Sequence, residues 1–103
     1  MSTAEMQYMQ VGDKKKPITL DFQLDVSAAT SIKIIIEVVG GTAKELTASP
    51  VSGSANKAVA YTNATTSEVD EAGVWYAHGH AIWADGRDWR SKPVPAFTAL
   101  ANL

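Results

Sequence analysis

Hydrophobic and polar positions alternate with a period of two along much of this chain, the pattern of strands that bury one face of an antiparallel sheet. After Pro17, residues Ile18, Leu20, Phe22 and Leu24 point one way, and Thr19, Asp21 and Gln23 the other. Next, Ile32, Ile34, Ile36 and Val38 form a buried row, with Lys33 and Glu37 facing water and Ile35 between them. Branched side chains favour a strand here. Gly40-Gly41 supplies a tight turn, and residues 42–47 are expected to return beside it. Residues 48–56, rich in Ser, Gly and Pro, read as a loop, and Lys57–Thr62 as a weaker strand with Val59 and Tyr61 on one side. Residues 63–70 read as a crossover with a helical turn near Ser67-Glu68.

The most informative stretch runs from Glu71 to Trp83, with a turn signal, Asp85-Gly86, just beyond it. Val74, Tyr76, His78, His80 and Ile82 share one face of the extended chain. The other face reads Trp75, Ala77, Gly79, Ala81, Trp83: large, small, none, small, large. Such a row leaves room for bulky side chains from a facing sheet, and Gly79 marks either a bulge or a close approach. After the turn, Pro93 and Pro95 lack amide donors, which predicts an edge position or a change of pairing before Phe97 and Ala99 resume the alternation. About seven strands result, and the fold class is all-β, an immunoglobulin-like antiparallel β-sandwich.

The corner leading into the central strand supports that class. In immunoglobulin-like sandwiches an acidic residue, a small residue and a tyrosine at alternate positions precede the penultimate strand, the tyrosine hydroxyl tying the corner to the backbone. Glu71, Gly73 and Trp75 stand in those places, so the tie falls to an indole N–H, which only donates. Ala77 stands where antibody domains carry a disulfide cysteine; the chain has no cysteine at all, and the sandwich is expected to rest on packing alone. The expected core is Phe22, Ile34, Ile36, Trp75 and Trp83.

At 103 residues the chain fits a single domain, divided into an amino-terminal arm, 1–12, and a sandwich domain, 13–103. The net charge of −2 offers no basic field for nucleic acid, and Lys14-Lys15-Lys16 reads as a solvated loop or edge protection. No apolar run is long enough to span a membrane, and the start shows no secretion signal.

The pieces Pro17–Phe22, Ala28–Ile34, Glu71–Ala77, Ala84–Arg87 and Arg90–Pro93, with the closing aromatic strand, resemble small immunoglobulin-like virion proteins of tailed bacteriophages, in particular the amino-terminal domain of the baseplate upper protein. The resemblance spans roughly residues 9 to 100 of the chain, one domain's length. It implies a non-enzymatic virion structural protein made in the host bacterial cytoplasm, foremost a head decoration or cement protein docking on capsid proteins. The alternatives are a tail or baseplate component, or a carbohydrate or host-surface binding module. The implied partners are other virion proteins and further copies of the chain, with neither nucleic acid nor membrane.

Candidate chemistry is sparse. His78 and His80 sit roughly 7 Å apart at their bases and can grip one metal ion with help from Asp85 or Asp88, or be satisfied by neighbouring strands. The second reading is preferred, so neither a metal nor another cofactor is expected. No phosphate loop or nucleophile elbow occurs, and no catalytic residue is assigned. The residues expected to meet a partner are Tyr8 and Met9 on the arm, and Arg87, Trp89 and Arg90 past the turn, with Trp89 open to either an anchoring or a packing role.

Overall fold

In a computed structural model, which describes residues 3–4, 7–62 and 68–101, the alternating segments are strands. In chain order they are β1 (Thr3–Ala4), β2 (Gln7–Gln10), β3 (Pro17–Asp21), β4 (Ser31–Val38), β5 (Lys44–Val51), β6 (Ser54–Tyr61), β7 (Gly73–Ile82), β8 (Asp88–Arg90) and β9 (Val94–Leu100). They run β1-β3-β6-β5-β4-β7-β9-β2, with β8 also on β7. The sheet curls into an open half-barrel of immunoglobulin-like sandwich architecture.

β5 makes the curl. Its first half pairs with β4, from Lys33↔Thr47 to Ile36↔Lys44, and its second half leaves for β6, from Ala48↔Ala60 to Val51↔Ser54. The register slips between Pro50 and Val51, at a residue with no amide donor to lose. The expected loop at 48–56 is therefore corrected: its Ser, Gly and Pro residues build a strand bend and a hairpin tip, where Gly53 supplies a φ of 84°.

The first strands join both layers. β1 pairs antiparallel with β3, whereas β2 pairs parallel with β9, Gln7↔Phe97 through Gln10↔Leu100. Met9 is only 3% exposed, so it belongs to the core and is not a residue offered to a partner. The arm, where described, is woven into the sandwich. Gly12 N–H bonds to Val69 C=O at 2.9 Å, joining the end of this segment to the chain entering β7. The exposed lysine loop is held by buried Thr62, whose hydroxyl accepts Lys16 N–H at 2.8 Å.

The inner faces interlock large against small. On one layer Ile18 and Leu20 stand beside Ala60 and Ala58. On the other, Ile32, Ile34, Ile36 and Val38 stand beside Ala81, Gly79, Ala77 and Trp75. On β6 Val59 and Tyr61 do share one side, the outer one, while Ala58 and Ala60 are buried; Ile35, expected between the water-facing Lys33 and Glu37, is only 5% exposed although it lies on the outer face of β4. β9 accommodates Pro95 opposite a register shift at Trp75/Tyr76, where β2 does not reach it. The helical turn near Ser67-Glu68 lies partly outside the described residues.

Gly79 answers the choice between bulge and close approach. It stays in regular register, and a Cβ placed there would run into the Phe22 ring. Phe22 is fully buried against that bare backbone, with the Trp89 ring 5.9 Å away and tilted 40° to it. We expect Gly79→Ala to destabilise the protein by about 1–3 kcal/mol through overpacking. In chemical denaturation, adding Phe22→Leu to Gly79→Ala should recover part of that loss, whereas additive losses would mean that the Phe22–Gly79 contact is not the cause.

Candidate functional site

β7 divides its residues by face. Trp75, Ala77, Gly79 and Ala81 are buried, while Tyr76, His78, His80 and Ile82 reach the outer surface half-exposed. Cross-strand pairing then decides their neighbours: Glu37 lies opposite Tyr76, Ile35 opposite His78, and Lys33 and Arg90 on either side of His80. Glu45, opposite Ile35, completes the outer face. This face carries Lys33 and Arg90 against Glu37, Glu45 and Asp88.

His80 is fixed by a carboxylate. Its Nε2 lies 2.7 Å from Asp88 Oδ1, with the imidazole side chain only 13% exposed. Asp88 opens β8 opposite Ile82, so it reaches His80 diagonally. Lys33 meets Glu45 at 3.4 Å in an exposed, weak pair. His78 is held below the ordinary imidazole range, first by burial and then by the Arg90 and His80 charges, against an opposing pull from Glu37.

The five residues expected to meet a partner do not form one surface. Tyr8 is 77% exposed on β2, while Met9 points inward. Trp89 faces Phe22 and packs against the core, which removes the exposed aromatic anchor on which the carbohydrate reading depended. Arg87 lies over the Trp83 ring at 4.8 Å, and its Nε is 3.0 Å from Asp85 Oδ2. Arg90 alone reaches the histidine face. Of the two proposed acidic helpers, Asp85 is engaged with Arg87, whose backbone N–H is the main cause of its lowered pKa, and Asp88 is the one beside a histidine.

Sequence reasoning missed the grouping of Lys33, Glu37 and Glu45 with the histidines. Alternation signalled that Lys33 and Glu37 point outward, but the adjacency of β4 and β7 joins segments about forty residues apart. Among the described residues, no group of three or more His, Cys, Asp or Glu side chains is placed to hold a metal ion. The histidine face thus offers at most two imidazole donors and one orienting carboxylate.

The architecture defines an immunoglobulin-like half-barrel. The chain is similar in structure to CopC from Methylosinus trichosporium OB3b, with a TM-score of 0.55 and 16% identity, over 100% of this chain and 94% of that one. At this identity the likeness shows the fold. No protein-family model matches the chain, and no curated protein does.

This finding corrects the virion reading. The structural likeness found is to CopC and not to a phage baseplate protein, and it extends over the whole chain. The kinship with phage virion proteins is withdrawn, together with the head decoration, tail and baseplate roles, the virion partners and the virion location. The physical reason is plain. The segments that carried the resemblance are strands, turns and a corner, in which Trp75 Nε1 donates to Glu71 C=O at 2.9 Å; such features recur in sandwiches of unrelated sequence.

A stability prediction follows from His78. Because folding depresses its pKa, the unfolded chain binds more protons just below the ordinary imidazole value of about 6.5, so stability is full above that pH and falls as pH drops through the folded pKa. In chelator-treated protein, His78→Gln should flatten the dependence of the urea midpoint on pH between 5 and 7.5. An unchanged slope would assign the acid sensitivity to another group.

Proposed function

We propose that this chain is a non-enzymatic metal-handling domain, a rigid sandwich that carries a first-row transition ion on its surface and performs no chemistry on it. The observation that carries the reading is that the chain's two histidines stand two residues apart on one outer strand face, one of them oriented by a carboxylate. Carboxylate-oriented histidine is a common support for metal ligation. The fold likeness to copper-binding CopC makes copper the first ion to test.

The donor set suits this role. Imidazole serves copper, zinc and nickel, and the chain has no thiolate to compete. With neutral imidazoles, the three carboxylates of the face outnumber its two cations, which does not repel a cation. A set of at most two protein donors leaves coordination positions for water or for a receiving protein. Such a site holds an exchangeable ion, whereas structural sites are closed by four protein ligands.

The test is a metal titration of the purified, chelator-stripped full chain, with Cu²⁺ and Zn²⁺ in air and Cu⁺ under anaerobic reducing conditions. Saturable uptake of one equivalent of at least one ion is expected, read by calorimetry and by elemental analysis after gel filtration. Failure to take up any of the three would sink the reading.

A further inference from the structure

We infer that the open edge of β8 is a self-association surface, on which two copies of this chain pair their β8 strands antiparallel about a two-fold axis at Trp89. The inference goes beyond the metal-handling reading and stands without it.

The backbone supplies the first part of the argument. β8 pairs with β7, and among the described residues no strand pairs with its other side, because β2 reaches only residues 97–100 of β9. Trp83 N–H bonds to Arg87 C=O at 2.9 Å, and Ser91 N–H to Gly79 C=O at 3.0 Å. Hydrogen-bonded pairs alternate along an antiparallel ladder, so the one between these two is Ala81–Trp89. Trp89 therefore turns its N–H and C=O to β7, while Asp88 and Arg90 turn theirs to the open side. β2 is treated differently: Asp13 Oδ2 accepts the Gln10 N–H at 2.9 Å, and Asp13 N–H donates to Gln10 C=O at 3.0 Å. Further along the β9 edge, Pro95 has no N–H to offer. The β8 edge has neither protection.

The side chains select the strand that fits. Asp88 and Arg90 are exposed, two residues apart on the outer face and opposite in charge. Asp88 places Oδ1 2.7 Å from His80 Nε2 and its side chain is still 53% exposed, and Arg90 makes no ion pair among the described residues. When β8 meets its own copy with Trp89 opposite Trp89, Asp88 of each copy stands opposite Arg90 of the other. These are also the residues with outward backbone groups, so each such pair gains both of its backbone hydrogen bonds together with an opposite-charge contact. A slip of two residues brings the two Asp88, or the two Arg90, face to face, and like charges directly opposite destabilise a strand pair. Trp89, half-buried beside Phe22, lies at the axis in a non-hydrogen-bonded position, where facing side chains come closest. An edge of three residues is a small contact, so the association is weak and reversible.

The test is sedimentation of the chelator-treated full chain from about 10 µM to 1 mM, with amide exchange read by NMR at both ends of that range. The dimer fraction should rise with concentration, and the Asp88 and Arg90 amides should gain protection by at least about threefold, while the Trp89 amide, already bonded to β7, is protected throughout. Asp88→Arg and Arg90→Asp should each weaken self-association at least about tenfold. Mixed in equal amounts, the two variants should pair with each other about as well as the wild type does, because opposite charges again face each other at both positions. A wild type that stays monomeric throughout overturns the proposal, as does a dimer whose Asp88 and Arg90 amides exchange as fast as in dilute protein. A dimer that both folded charge variants form undiminished moves the contact to another surface, and a mixture of folded variants that does not associate overturns the register. The exchange measurement needs no substitution, so it decides the matter even if a variant fails to fold.

Discussion

Phe22 resting on the bare backbone of Gly79 is the contact on which the rest of the sandwich depends. Two sheets can close over a short distance only if one supplies gaps where the other supplies bulk. β7 supplies a graded row of gaps, Ala77, Gly79 and Ala81, between the large rings of Trp75 and Trp83. The branched side chains of β4 fill it from the side, and Phe22 fills it from the facing layer. Trp89 then covers Phe22 from the short strand β8, so the same contact also fixes the segment that carries Asp88.

The closing of the sheet follows a second constraint. With no disulfide between layers, the chain joins them through the backbone itself. β5 passes from one layer to the other, and the segment carrying β1 and β2 does the same at the opposite end. The Trp75 indole ties the corner at Glu71, and Thr62 ties the lysine loop. Each tie joins groups that the sheet ladders leave without a partner, as burial of backbone polar groups demands.

The division between what was legible in the sequence and what was not follows from range. The two faces of β7 follow from residue order alone, because the strand period is two and a wrong phase would put two tryptophans in water. The bend in β5 was not legible, since Ser49, Pro50 and Gly53 carry the composition of a loop while pairing as strand and hairpin. Ala58 and Ala60 were passed over because small residues look uninformative until Leu20 and Ile18 are seen beside them. Trp89 was ambiguous for the opposite reason: its charged neighbours suggested exposure, and only the distant Phe22 decides otherwise. The corner of Glu71, Gly73 and Trp75 was read correctly as architecture and wrongly as kinship. Turn and corner chemistry reports a local geometric need, and unrelated sandwiches share that need.

The same strand that organises the core presents the candidate site, and the pleat keeps the two roles apart. Odd-numbered positions of β7 from 75 to 81 are committed to packing, and even-numbered ones from 76 to 82 lie outside it. A change on the outer face thus leaves the interlocking of large and small side chains intact, while a change on the inner face moves the platform on which both histidines stand. A surface built this way gains rigidity without a buried pocket, because the ordering has already been supplied by folding. Its limit is equally structural. Two donors on one strand cannot enclose an ion, and neighbouring β4 offers Ile35 and Lys33 where a third or fourth ligand would have to stand. On the proposed reading, any ion on this face is therefore shared with water or another molecule and not enclosed.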